Sequence, residues 1–238
     1  MDNSGGGYNI FIENMDKKIK IIFENDDFLV VDKPAGMTTT KEAKNEEGTL
    51  EDYLVNYKTN TLPRNGIVHR LDKGTSGLVL VAKNNKSLIN FKSQFKNRLV
   101  SKKYYCLVGG STSVDGSIDW PIERSKFSFG KFSVGVDGKN ALTEFKLVKR
   151  YCKNDKKYSL LEINLKTGRT HQIRVHMNYL RWPLVGDRLY GGEVDILKRP
   201  FLHAHELEIN EPNTGERLKF NSKLASDLQK HLDLYGEE

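Results

Sequence analysis

Residues 67–83, Ile-Val-His-Arg-Leu-Asp-Lys-Gly-Thr-Ser-Gly-Leu-Val-Leu-Val-Ala-Lys, hold the residues of this chain best placed to do chemistry. One carboxylate, Asp72, stands between an apolar lead-in and a turn of small residues, Gly74-Thr75-Ser76-Gly77. The apolar run over 78–82 that follows reads as a buried strand. A carboxylate at such a junction is fixed by the scaffold on both sides. It can serve as a nucleophile, a general base or a metal ligand. It can equally be a turn aspartate that only accepts hydrogen bonds from backbone amides. Local chemistry leaves both readings open.

The elements that must position Asp72 are legible as patterns. Residues 20–23 and 28–31 read as a strand pair around the polar cluster Glu24-Asn25-Asp26-Asp27. The pair ends at the turn Lys33-Pro34-Ala35-Gly36, because proline cannot continue a central strand. Thr49 with Asp52 three residues on resembles a capping box. Leu50, Tyr53, Leu54 and Tyr57 then share one helical face. Residues 87–99 form a helix candidate with Leu88, Phe91, Phe95 and Leu99 on one side, and Lys86, Lys92, Lys96 and Arg98 on the other. Residues 102–108 read as a strand in which only one of Tyr104 and Tyr105 can face a given side. Residues 143–151 and 158–165 alternate as a hairpin. Thr170 reads as the N-cap of a helix carrying Gln172, Ile173, Arg174, Met177 and Leu180. Residues 202–209 and 217–220 form a further hairpin, and Leu224, Leu228 and Leu232 give a terminal helix an apolar edge. Runs of strands with interspersed helices and no regular β-α-β alternation predict an α+β fold.

The totals narrow the class. With 238 residues the chain is long enough for a full core. Its formal net charge of +7 fits a polyanionic partner. Cys106 and Cys152 have neither pairing nor metal spacing, so no disulfide framework is indicated. No segment has the length and apolarity of a membrane span, and the Gly-rich start lacks the order of a signal peptide. The expected location is the cytoplasm. Residues 1–16 are expected to be a weakly ordered leader.

The string His69-Arg70-Leu71-Asp72-Lys73-Gly74-Thr75-Ser76-Gly77 resembles the signature of the RluA-type RNA pseudouridine synthases. Three other segments match in the same order: the Asp32-Lys33-Pro34-Ala35-Gly36 turn, the Lys103-Tyr104-Tyr105 strand, and Gly168-Arg169-Thr170-His171-Gln172-Ile173-Arg174. The likeness runs from about residue 20 to about residue 224. It implies a mixed, mainly antiparallel central sheet flanked by helices and loops, with a cleft across it. It implies isomerisation of uridine to pseudouridine in structured RNA, ribosomal or transfer, with no cofactor.

By family position Asp72 is the catalytic residue, Arg174 pairs with it, and Tyr104 contacts the target base. Arg70 fills the space that an extruded nucleotide leaves. His69, Arg169 and Ile173 are further substrate contacts, with Arg169 the candidate for phosphate. Relatives often carry a small RNA-binding domain before this point. Residues 17–238 read as the catalytic domain alone, and nothing demands more than a monomer. Residues 38–48 depart from the family pattern and read as polar and mobile. In the segment rich in Gly, Ser, Lys and Phe over 109–140, Phe127, Phe129 and Phe132 read as buried. Lys126 and Lys131 are candidate RNA contacts.

Two other functional classes compete with this one. A non-catalytic RNA-binding or chaperone protein on the same fold would need none of Asp72, Tyr104 and Arg174 in combination. A metal-dependent hydrolase would use His171, His176, His203 and His205. However, His171 and His176 are not at the four-residue spacing that puts two ligands on one helical face. No metal is therefore expected, and these histidines read as packing or RNA contacts.

Overall fold

The computed structural model describes residues 19–238 apart from 42, 44, 45, 58, 60, 113, 114, 127, 195 and 196. The expected leader over 1–16 and the burial of Phe127 lie outside the described residues. The chain begins with β1 (Lys20–Glu24) and β2 (Phe28–Lys33), antiparallel as the sequence predicts. The short helix α1 (Leu50–Tyr53) follows, with Thr49 and Asp52 forming the reciprocal cap. Then come β3 (Ser76–Ala82), α2 (Asn85–Lys96) and β4 (Ser101–Gly109). The short strands β5 (Gly116–Asp119), β6 (Ile122–Arg124) and β7 (Phe132–Val134) lead to the long hairpin β8 (Leu142–Lys153) and β9 (Lys156–Leu165). Asn154 and Asp155, both with positive φ, close that hairpin in two residues, as the twist of paired strands favours. Helix α3 (Gln172–Tyr179), β10 (Leu202–Asn210), β11 (Arg217–Asn221), α4 (Ser226–Leu232) and β12 (Gly236–Glu237) complete the order.

One ten-stranded sheet carries the fold, in the order β1-β2-β3-β10-β4-β9-β8-β12, with β11 on β10 and β5 on β8. All its strand pairs are antiparallel except β3 with β10. This is the α+β class that the strand and helix patterns predict, with the mixed, mainly antiparallel sheet that the family resemblance implies. Alternation explains the unbroken apolar runs. On β2 and β3, Phe28, Val30, Leu78 and Leu80 pack with Phe91 of α2. Their neighbours Leu29, Val31, Val79 and Val81 join Ile173 and Met177 of α3 on the opposite face. A sheet covered on both faces needs apolar residues at every position.

The start of β3 is set by backbone proximity. Gly77 has φ +117°, and a Cβ there would lie 2.2 Å from the Ala204 carbonyl oxygen of β10. Only glycine lets the two parallel strands approach this closely. Asp72 therefore leads into a strand whose first turn is locked to the sheet centre.

Helix α2 ends at Lys96, so Leu99 falls beyond it and is exposed. Among the described residues no helix is long and apolar enough to cross a membrane.

Candidate active site

Three attachments hold the backbone around Asp72. The Thr39 hydroxyl donates to Leu71 O at 2.7 Å and accepts from the Leu71 amide at 3.1 Å. The Gly36 amide, from the Lys33-Pro34-Ala35-Gly36 turn, donates to Lys73 O at 2.7 Å. Arg199 donates to Gly74 O at 3.2 Å and to Ser76 Oγ at 3.3 Å, while Asp227 anchors its guanidinium at 2.7 and 2.8 Å. Within the turn, the Thr75 amide bonds to Asp72 O at 3.0 Å. Of the segment 38–48 that reads as polar and mobile, residues 42, 44 and 45 lie outside the described residues, and Thr39 departs from that expectation. It is buried, and its one hydroxyl satisfies both backbone groups of the residue preceding Asp72.

The Asp72 carboxylate accepts no backbone amide among the described residues, which removes the turn-aspartate reading. Its Oδ2 lies 3.3 Å from Arg174 Nη1 and 3.8 Å from His171 Nε2. Arg174 comes from α3, as expected, but Asp72 is not its main partner. Its Nε and Nη2 donate to the two carboxylate oxygens of Asp187 at 2.7 and 2.9 Å. Asp187 has no solvent-exposed side chain and also accepts from the Leu189 and Tyr190 amides. Beneath the guanidinium lies the Tyr190 ring, 4.9 Å from its centre. A forked, buried pair of this kind fixes the orientation of the arginine as well as its charge.

The backbone that delivers Asp187 is itself constrained. Gly186 has φ +79°, and a Cβ there would lie 2.0 Å from Arg199 O. The Val185 amide bonds to Leu107 O, which pins the turn to β4.

Asp72 and Arg174 open onto a cleft of about 410 Å³. Tyr104, His171, Ile173 and Leu202 also line it. Tyr104 lines the cleft and its neighbour does not: Tyr105 stacks on His205, with ring centroids 3.8 Å apart. Burial first, and the charge of Asp72 second, push the Tyr104 phenol well above its ordinary pKa, so it keeps its proton. Burial holds His171 below the usual histidine range although Asp72 opposes the shift. His171 is thus predominantly neutral at pH 7, with Nδ1 2.9 Å from the Tyr190 hydroxyl. His69 Nε2 accepts the Leu80 amide at 3.0 Å, which places the ring proton on Nδ1. Burial, with a smaller contribution from Lys102, pushes its pKa down to about 3.

The family profile described as RNA pseudouridylate synthase matches residues 27–179, and Asp72, Tyr104, His171, Ile173 and Arg174 all fall inside that span. The chain belongs to the RNA pseudouridylate synthase family. An RNA pseudouridine synthase of Bacillus subtilis (strain 168) is 40% identical over 231 residues, covering 94% of this chain and 74% of that protein. The ribosomal large subunit pseudouridine synthase D of Xanthomonas campestris is 36% identical over 239 residues, with 94% and 71% covered. Among solved structures, human RNA pseudouridylate synthase domain containing 1 superposes with a TM-score of 0.75 at 27% identity, covering 93% of this chain and 89% of that one. The protein is an isomerase that converts uridine to pseudouridine in RNA.

The remaining expected contacts of this synthase divide. Arg70 is exposed at the rim and donates to Thr170 Oγ1 at 3.3 Å. Arg169 lines the cleft with Nε on Asn140 O at 2.9 Å. Thr170 is not the cap of α3. His171 occupies that position in the left-handed region (φ 55°) and makes no side-chain cap bond. Gln172 secures the turn instead, accepting from Thr167 Oγ1 and the Arg169 amide and donating to Leu142 O and Thr143 Oγ1.

Phe129 is fully exposed, against expectation, while Phe132 packs edge-on against His171. Lys126 pairs with Asp137 at 3.3 Å. Among the described residues no three His, Cys, Asp or Glu side chains converge to hold a metal ion.

Sequence reasoning missed Asp187 and Thr39. The signal available for Asp187 was a carboxylate one glycine after the apolar Leu184-Val185 pair.

Proposed function

We propose that this synthase modifies uridine in large-subunit ribosomal RNA, with Asp72 as the catalytic carboxylate. One observation carries the reading. Among the described residues lining the cleft, Asp72 is the only anion, while Arg64, Arg70, Lys102, Arg169 and Arg174 supply five cations. A cleft so charged attracts a polyanion and reserves one carboxylate for chemistry. The relatives named for the ribosomal large subunit point to that RNA.

The reaction breaks the C1′–N1 bond, turns the uracil and joins C5 to C1′. The proton leaves C5 and N1 gains one, so the balance needs no cofactor. Asp72 acts at the sugar–base junction of a nucleotide extruded from its stack. Arg174, locked by Asp187, orients the carboxylate. Tyr104 and Ile173 form the wall against the uracil. Arg70 occupies the space the nucleotide vacates, Arg169 meets phosphate at the rim, and His69 offers its Nδ1–H to the substrate. Extrusion costs a few kcal/mol, least in loops, which favours an accessible uridine in folded RNA. Residues 17–238 act as one catalytic domain, as a monomer, in the cytoplasm.

Pseudouridine mapping of ribosomal RNA from cells with and without the gene tests the substrate. Carbodiimide labelling read by reverse-transcription stops is predicted to lose one or a few large-subunit positions. A loss confined to transfer RNA contradicts the assignment.

A further inference from the structure

Lys102 stands apart from the other cations of the site. It lies on β4 two residues before Tyr104, so alternation puts both side chains on one side of the strand, and both line the cleft. Its neighbour Lys103 is matched by Glu162 at 3.4 Å and Glu206 at 3.2 Å. Lys102 has no hydrogen-bond or ion-pair partner among the described residues. Its ammonium lies 5.6 Å from the Phe95 ring centroid. The backbone of the Arg169 turn passes close to it: a Cβ built on Gly168 would lie 3.6 Å from the ammonium, an ordinary contact distance.

Burial pushes the pKa of Lys102 down to about 8, the cost of holding a cation away from water without a counter-charge. The other cations are better served. Arg174 is neutralised by Asp187 and Asp72. Arg64 and Arg70 are exposed to solvent, and Arg169 has the Asn140 carbonyl. A half-buried ammonium with no ion-pair partner is best completed by a ligand that brings a full negative charge. In an RNA strand that charge lies on the phosphodiester, not on the base or the sugar.

We propose that Lys102 grips, inside the cleft, a phosphate oxygen of the linkage flanking the target uridine. The contact fixes the register of the strand, so that the nucleotide over Asp72 and Tyr104 is set by the distance from a held phosphate. This rests on the cleft being the site of the uridine.

The test is a double-mutant cycle on an oligonucleotide carrying the uridine that wild-type protein converts. One substrate is unmodified, and two others carry a neutral methylphosphonate at the 5′ or the 3′ linkage. Under single-turnover conditions Lys102→Gln is predicted to raise the half-saturating concentration about 10- to 100-fold while the maximal rate changes little. Lys102→Arg, which keeps the charge, is predicted to retain most of the affinity. The dependence of log affinity on log salt is predicted to fall by about one unit in Lys102→Gln. One of the two methylphosphonates is predicted to weaken wild type by a similar factor and to add nothing to the Lys102→Gln loss.

Additive losses at both linkages, or a defect confined to the maximal rate, overturn the proposal. The uridine-site reading is judged by Asp72→Asn against wild type and the Lys102 contact only by differences between Lys102 variants, so the two fail separately.

Discussion

Arg174 grips Asp187 through two hydrogen bonds, at 2.7 and 2.9 Å, and reaches Asp72 through only one, at 3.3 Å. The arginine is thus oriented from behind by a buried carboxylate, and it presents its free corner to the cleft. Asp72 receives a fixed positive charge without losing the freedom of its second oxygen.

Replacing Asp187 with Asn keeps the shape and removes the charge. Breaking a buried pair from one side costs roughly 3–5 kcal/mol, because the remaining charge stays desolvated. Urea unfolding is predicted to show a loss of that order. The single-turnover rate is predicted to fall at least about 10-fold with RNA affinity nearly unchanged, since Arg174 no longer holds one orientation. A purely structural Asp187 would leave the rate of the folded fraction at the wild-type value.

Thr39→Val removes one hydroxyl and leaves the Leu71 amide and carbonyl unpaired. Buried unsatisfied groups cost about 1–3 kcal/mol each, so a measurable drop in unfolding free energy is expected. Because Leu71 precedes Asp72, the maximal rate is predicted to fall while half-saturation by RNA stays within about 2-fold. Thr39→Ser, which restores the hydroxyl, is predicted to recover most of the rate. Equal rates in the Val and Ser variants contradict a positioning role.

Burial lowers the pKa of all six histidines, with His203 pushed down to about 4 despite the opposing charge of Asp32. The unfolded chain then binds protons near pH 6.5 that the folded protein refuses. Stability is therefore fully present above about pH 6.5 and declines as pH falls, for His203 until about pH 4 is passed. Each such histidine contributes a slope of roughly 1 kcal/mol per pH unit within its window. Urea midpoints at pH 7, 6 and 5 are predicted to fall, less steeply in His203→Gln. Parallel slopes in the two proteins contradict the assignment.

What the sequence showed and what it concealed follow from the range of the interactions. Strand alternation is local, so the choice of Tyr104 over Tyr105 could be made from parity and the family position, and Tyr105 does turn to His205. The Thr49–Asp52 cap is equally local and appears as read. Thr39 acts on Leu71 across 32 residues, and no pattern in a polar stretch announces such a bond. Asp187 sits 13 residues from Arg174 in a turn whose apolar composition hides a charge. Thr170 had the right type for an N-cap, but the left-handed backbone at His171 moved the cap by one residue. Phe129 misled because hydrophobicity predicts burial only where the chain is packed, and this residue lies exposed in the loop between β6 and β7.

The role of Asp72 is tested most directly by the single-turnover conversion of an unmodified ribosomal RNA transcript by wild type and Asp72→Asn, with RNA affinity measured alongside. The account predicts that Asp72→Asn binds the transcript within about 3-fold of wild type, since phosphate contacts dominate affinity, and forms no detectable pseudouridine. Turnover by Asp72→Asn near the wild-type rate would contradict it and would move the chemistry to another residue of the cleft.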